Sequence, residues 1–400
     1  MMKRVVTVVV FLAAFAVAGA IMFSLGRRKG TGRGAAPETA APAAAMSSPL
    51  PTADWTIFRG DPGMLGVAGG KLPDAMKIRW KYKTNGEVTS SAVIAAGRVF
   101  IGSTDANVYC LDAASGRKVW SFATGDAVEA PPTCVDGKIY VGSSDTFLYC
   151  LDAASGKLDW KFEAGDRILG AASLFRDGAG GGTRILFGCY DFHLYCLAPA
   201  DGNCLWKYKS DNYINGGIAV AGGKTVFGGC DAKIHVVSPD GNEAGTIDAG
   251  AYVAATPAFD GRFVYVGNFD GGLVCADTRT DKIAWSYRGK APFFSSPAIG
   301  ADRVVVGSRD YSLHCMDRKT GKGLWTFATR DEVNSSPVLC GGRVVFGSND
   351  GRLYIVTLAD GKKVWSYDLG DAVASSPGVG GGMVVVGCND QYVYAFEAGP

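Results

Sequence analysis

The chain has 400 residues, with 40 Lys/Arg against 38 Asp/Glu, three His, 11 Cys and a net charge of +2. The charge is unevenly placed: residues 1–54 hold six basic side chains (Lys3, Arg4, Arg27, Arg28, Lys29, Arg33) against only Glu38 and Asp54. The remainder is close to neutral and lacks the clustered cations that phosphate backbones require, so nucleic acid is not an expected partner.

Val5 to Leu25 is an uncharged run of 21 residues, flanked by Lys3-Arg4 and Arg27-Arg28-Lys29. Its length suits one transmembrane helix and exceeds a usual signal-peptide core, so residues 1–26 are expected to anchor the chain uncleaved. Cleavage near Ala18 or Ala20 is the alternative, and basic residues at both ends leave the orientation open. Residues 27–54 are rich in Ala, Pro, Gly and Ser without periodicity, the composition of a flexible tether.

From residue 55 the chain repeats itself. Gly97 to Thr124 reads as three short strands around Val99–Ile101, Val108–Leu111 and Val119–Phe122, with turns at Asp105-Ala106-Asn107 and Ala114-Ser115-Gly116. Asp105 recurs as Asp145, Asp191, Asp231, Asp270, Asp310, Asp350 and Asp390, at intervals of 40, 46, 40, 39, 40, 40 and 40. Trp80 recurs as Trp120, Trp160, Trp206, Trp285, Trp325 and Trp365, with a gap at Gly245. The long interval coincides with a Gly-rich insert at Gly178 to Gly182. Four strand signals per period of about 40 predict an all-β, eight-bladed propeller of four-stranded antiparallel blades. The last repeat offers three strands only. The lone Trp80 strand should supply its fourth and close the ring, removing exposed edges. A single monomeric propeller then occupies residues 55–400.

Cys110, Cys150, Cys196, Cys275 and Cys315 share one repeat position, and equivalent positions of neighbouring blades point the same way. Both facts favour small packing residues over disulfides. So many free thiols sit more easily in a reducing compartment, which pulls against an exported propeller. No Cys/His spacing suits zinc. The eight Asp residues read as turn residues that stay far apart around the ring, and His193, His235 and His314 as strand residues.

The run Leu111-Asp112-Ala113-Ala114-Ser115-Gly116-Arg117-Lys118-Val119-Trp120 stands again at Leu151 to Trp160, and more loosely at Ala276 to Trp285 and Met316 to Trp325. It resembles the quinoprotein-type (PQQ-like) propeller repeat, a resemblance covering about 340 residues. Within that family, the blade count, the length and the membrane-targeting segment resemble BamB-type scaffolds of outer-membrane β-barrel assembly. Those proteins are lipoproteins, whereas no Cys precedes Cys110. The resemblance implies a non-enzymatic, membrane-tethered scaffold in the cell envelope, with the propeller periplasmic and the β-barrel assembly machinery as its protein partner. A cytoplasmic orientation stays open. Enzymatic relatives hold the quinone with calcium, many under an adjacent Cys-Cys pair. This chain has no Cys-Cys, so neither PQQ, calcium nor catalysis is expected. A PQQ-binding dehydrogenase or sensor is the second reading.

The residues flanking each innermost strand should ring one mouth of the central channel. They offer Glu87, Glu129, Arg167, Tyr213, Asn215, Tyr252, Phe294, Glu332 and Asn334 as a candidate partner-binding rim, mixing charge with the aromatic and Arg side chains that anchor interfaces. An ordinary polar rim is the alternative.

Overall fold

The computed structural model describes residues 50, 52–176 and 182–399. The expected anchor and most of the tether lie outside the described residues, as does most of the Gly178 to Gly182 insert. No helix among the described residues is long and apolar enough to cross a membrane. They form eight β-sheets around a common axis. Blade 1 consists of Val93–Ala95, Arg98–Ser103, Asn107–Asp112 and Lys118–Ala123, from the axis outward. Blades 2 to 7 follow at 133–163, 173–209, 219–248, 258–288, 298–328 and 338–368. Blade 8 joins Gly378–Gly380, Met383–Gly387 and Tyr392–Ala398 to the outermost strand Met76–Lys83, with Trp80 opposite Ala395 and Lys83 opposite Tyr392. The ring is closed by the Trp80 strand, as the three-strand last repeat demands.

Local chemistry repeats with the period. The residue after each comb Asp takes positive φ, from 63° at Ala106 to 85° at Gly351. This left-handed turn swings the third strand back along the second. Every outermost strand then carries a register shift just before the Trp position; in blade 1 it falls between the pairs Leu111–Lys118 and Cys110–Trp120. Such bulges bend a strand and re-aim its side chain. Here they turn the indole onto the neighbouring blade. Trp80 lies against Gly116, where an added Cβ would come within 2.5 Å of the ring, and its Nε1–H donates to the Ala113 carbonyl at 3.0 Å. Trp120, Trp206, Trp285 and Trp325 likewise donate to Ala153, Pro239, Arg318 and Leu358, each 33 residues further on.

The gap at Gly245 has a consistent structural counterpart. Its acceptor by the same spacing, the Thr278 carbonyl, instead takes a 3.0 Å bond from Lys224 Nζ. The turn that would receive an indole carries Asp281 at φ 52° where other blades have glycine. A Cβ added at Gly245 would stand 2.6 Å from the Asp281 carboxylate. Trp and receiving Gly are missing together.

The repeat Cys sits directly across the ladder from the Trp, as in Cys110–Trp120, Cys150–Trp160 and Cys315–Trp325. All eleven thiols are free. Burial pushes Cys150 and Cys315 up to about 12, as expected of inert packing groups. Only Cys204 is exposed. Maleimide labelling of the folded protein should therefore show one fast thiol, lost in Cys204→Ser, with half-buried Cys134 and Cys230 slower and the eight buried thiols reacting only on unfolding.

Seven of the eight comb Asp residues accept a bond from the Tyr or His four residues on, among them Tyr109 to Asp105 at 2.6 Å, Tyr149 to Asp145 at 2.7 Å and His235 to Asp231 at 2.8 Å. Asp270 is the exception. Val274 stands where the Tyr or His would be, and Asn268 ties the turn instead, donating to Ala249 O and accepting from Gly272 N. The histidines are strand residues, but they also link blades: Nδ1 of His235 faces Tyr208 Oη, and that of His314 faces Tyr287 Oη, both at 3.1 Å. Burial and the adjacent carboxylate raise Tyr109, Tyr149, Tyr195, Tyr354 and Tyr394 above their ordinary pKa. Groups with a folded pKa raised above the unfolded value contribute stability at lower pH and lose it on deprotonation. Chemical denaturation followed against pH should therefore show the midpoint falling steeply from about pH 9 to 10 upward, thiols first and phenols next. Arg59, which burial lowers to about 9, acts in the opposite sense but is a single group.

The innermost strands are shorter than the apolar runs imply, two to four residues each, because the preceding small residues bond between blades rather than within them. The amide of Gly217 donates to Thr256 Oγ1, that of Thr256 to Ser296, Ser296 to Ser336, Ser336 to Ser376 and Ser376 to Ser91. This girdle of hydroxyls around the axis is why small polar residues recur there.

One element has no counterpart in the repeat. Residues 53–72 run round the channel at the end opposite the candidate rim, forming a belt. Ala53 O accepts from Gly381, Trp55 exchanges two bonds with Ile94, and Thr56 O accepts from Cys134. Pro62, Gly63, Leu65 and Gly66 then accept from Val220, Phe259, Ile299 and Leu339, before Val67–Ala68 adds a parallel strand to blade 7. Trp55, Ile57, Met64 and Leu72 are buried under it. Arg59 is enclosed as well, with Nη2 donating to Pro297 O at 3.1 Å.

Candidate functional site at the open mouth

The mouth opposite the belt is built by the connections that cross from one blade's outermost strand to the next blade's innermost strand. Each is pinned by one fully buried residue: Val88, Val128, Ile168, Ile214, Val253, Phe293, Val333 and Val373. The pin packs on a glycine in the last two residues of the second strand of the preceding blade; a Cβ at Gly102 or Gly347 would run into Val128 or Val373. With the pin fixed, the residues before and after it must face the mouth. All nine predicted rim residues are such neighbours.

A second tier was not anticipated. The residue before each comb Asp donates its amide to the carbonyl of the residue before the pin: Tyr190 to Arg167, Cys230 to Tyr213, Phe269 to Tyr252 and Asn349 to Glu332. This brings Tyr190, Phe269 and Arg309 among the predicted residues. Arg167 lies 4.3 Å over the Tyr190 ring, and Tyr190 is 4.8 Å from Tyr213. Phe269 lies 6.3 Å from Tyr252 and 4.6 Å from Phe294. Arg309 stacks 3.7 Å over Phe294 and pairs with Glu332 at 3.2 Å, while Asn334 bridges Glu332 and Arg309. The result is an aromatic arc over blades 3 to 6, on which Tyr213, Tyr252 and Phe269 remain 42, 55 and 41% exposed.

The other side of the mouth is acidic. Glu87 accepts a 3.0 Å bond from Asn389. Glu129, Asp126 and Asp166 share a hollow of about 440 Å³ with Arg167, Tyr190 and Tyr213. Desolvation by the walls of the mouth pushes the Glu129 carboxyl above its ordinary value, with Arg167 opposing. Further in, a well of about 190 Å³ descends past Thr89, Asn215 and the hydroxyl girdle to Phe58 of the belt. Among the described residues, no three His, Cys, Asp or Glu side chains gather where they could hold a metal. The comb Asp residues stay one to a blade.

The comparisons agree on the architecture. The chain matches the family described as "Outer membrane protein assembly factor BamB" over residues 69–227, 230–371 and 312–399. No curated protein matches it in sequence. Among solved structures, BamB from Moraxella catarrhalis is similar with a TM-score of 0.67 at 17% identity, covering 81% of this chain and 100% of that one. Quinohemoprotein alcohol dehydrogenase from Comamonas testosteroni is similar with a TM-score of 0.71 at 15% identity, covering 86% of this chain and 80% of that one. A europium-containing methanol dehydrogenase also gives 0.71, at 14% identity over 86% of this chain and 98% of that one. At such identities the structural matches speak for the fold alone, so kinship rests on the sequence match across the propeller. On that match, the chain belongs to the family of the outer membrane protein assembly factor BamB.

Proposed function

We propose that the protein is a non-enzymatic binding scaffold of the cell envelope that takes part in outer-membrane protein assembly and engages a protein partner through its open mouth. The observation carrying this reading is the aromatic arc. Exposed Tyr and Phe side chains, held rigid by stacking and interleaved with Arg, have the composition of protein-interface anchors. Family membership supports the assembly role and the envelope location.

The dehydrogenase neighbours keep a quinone site in view, but the residues at the mouth do not fit one. The axial well measures about 190 Å³, below the range of cofactor pockets, with Glu129 its only carboxylate; the larger hollow beside it holds Glu129, Asp126 and Asp166 but also the Arg167 guanidinium, which opposes a cation there. A calcium ion needs six to eight oxygen ligands. Incubation with the quinone and calcium, followed by a dye-linked alcohol assay, should give no turnover; sustained turnover would reverse the reading. The compartment is tested by fusing alkaline phosphatase and a fluorescent protein separately to Pro400. Phosphatase activity alone is expected, and fluorescence alone would sink the assembly role.

A further inference from the structure

The open mouth has a surplus of hydrogen-bond acceptors. Three amide oxygens there are buried without a donor, Asn215 Oδ1, Asn349 Oδ1 and Asn389 Oδ1, and the Thr89 hydroxyl has no partner of either kind. Their amide nitrogens are used where the structure shows a partner, Asn215 Nδ2 on Cys230 Sγ and Asn389 Nδ2 on Glu87. In those two residues the oxygen is the free end. The carboxylates are unevenly satisfied too. Glu332 is paired with Arg309, Glu87 has one amide, and Glu129 faces Arg167 while that guanidinium lies on Tyr190. Buried acceptors without donors are costly, and a low-dielectric mouth sharpens the demand for a donor.

We infer that the partner presents a cationic segment, a stretch of polypeptide with Lys or Arg beside aromatic or aliphatic residues, whose basic side chains reach the exposed carboxylates of Glu129 and Glu87 while its apolar residues lie on the Tyr213–Tyr252–Phe269 arc. This rests on the scaffold reading above and names the chemistry its partner must bring. A cation stacked on these rings reproduces what Arg167 and Arg309 already do at 4.3 and 3.7 Å. The basic group sits at the level of the rim and not at the floor of the well, because the buried Arg59 lies next to the Phe58 floor, 6.0 Å from its ring centroid, and repels a second cation. An acidic segment meets the opposite situation over the well, with exposed carboxylates and with Arg167 and Arg309 already stacked.

The test uses the full chain and two dye-labelled peptides, acetyl-Tyr-Lys-Tyr-Lys-Tyr-amide and the same peptide with Glu for Lys, read by fluorescence anisotropy. The Lys peptide should bind at least about tenfold more tightly than the Glu peptide, and more weakly as salt is raised. Glu87→Gln with Glu129→Gln should lower its affinity about fivefold to tenfold. Phe269→Ala should weaken it without changing the salt dependence. Both sets of substitutions lie at exposed positions, and unchanged thermal unfolding confirms intact propellers. Equal or tighter binding of the Glu peptide, indifference to the Glu87/Glu129 substitutions, or no binding of either peptide would overturn the inference. The scaffold reading has its own readout. Protein crosslinks from the mouth in cells, with no preference for the Lys peptide, would leave the scaffold standing and remove only the cationic partner.

Discussion

Trp80→Ala is expected to lower the unfolding free energy by about 3–5 kcal/mol, more than any other single truncation of the Trp comb. Trp80 is almost fully buried and fills the space over Gly116, and its Nε1–H satisfies the Ala113 carbonyl. It also lies on the strand that closes the ring, so its loss loosens the blade whose outermost strand comes from the N-terminal end and whose other three come from the C-terminal end. Trp365 is the natural control. It packs on Tyr367 and Phe396, but the blade it faces has no turn between its third and fourth strands, because the fourth comes from Met76–Lys83. Trp365→Ala should cost about 2 kcal/mol less, since no carbonyl is stranded. Urea unfolding of the two variants measures the difference, and equal losses would remove the closing strand from its special place.

The second large effect is a coupling. Gly245→Trp alone should destabilise by about 1–3 kcal/mol, because the side chain must enter where the Asp281 carboxylate stands. Asp281→Gly alone should be close to neutral, relieving the strain at φ 52° while loosening the unfolded chain. Together they recreate the Trp–Gly pair of the other blades, with Thr278 O as acceptor once Lys224 is displaced. The double variant should therefore be more stable than the two single effects sum to, by about 2 kcal/mol. A cycle with no coupling would mean that the blade 4–5 junction is built on a different plan.

These two predictions also show why the ring was legible and other parts were not. The Asp and Trp combs carry the fold because each marks a local event, a left-handed turn or a bulge, that has to recur wherever a blade recurs. Even the gap at Gly245 was visible, although its partner Asp281 was not, since nothing in a single repeat says which glycine receives which indole. The belt left no such mark. Its bonds are backbone bonds to blades as far along the chain as Gly381, whose amide reaches Ala53, and residues 53–72 have no register to betray them. At the mouth, the nine predicted side chains follow from the pins Val88 to Val373. The second tier does not, although its members occupy one repeat position. Tyr190, Phe269 and Arg309 each precede a comb Asp, and reading that column beside the first would have found the arc. Asp270 shows the limit of spacing. It keeps the interval but not the role, because the side chain that would hold it is Val274.

The central claim, that the open mouth and not the belt end meets the partner, is tested most directly by a photo-crosslinking residue placed at Tyr252 on the rim or at Asp136 on the exposed turn of the belt end, in intact cells. Crosslinks from Tyr252 to a defined envelope protein, with none from Asp136, are the predicted result. Crosslinks from Asp136 alone, or the same weak pattern from both, would contradict it.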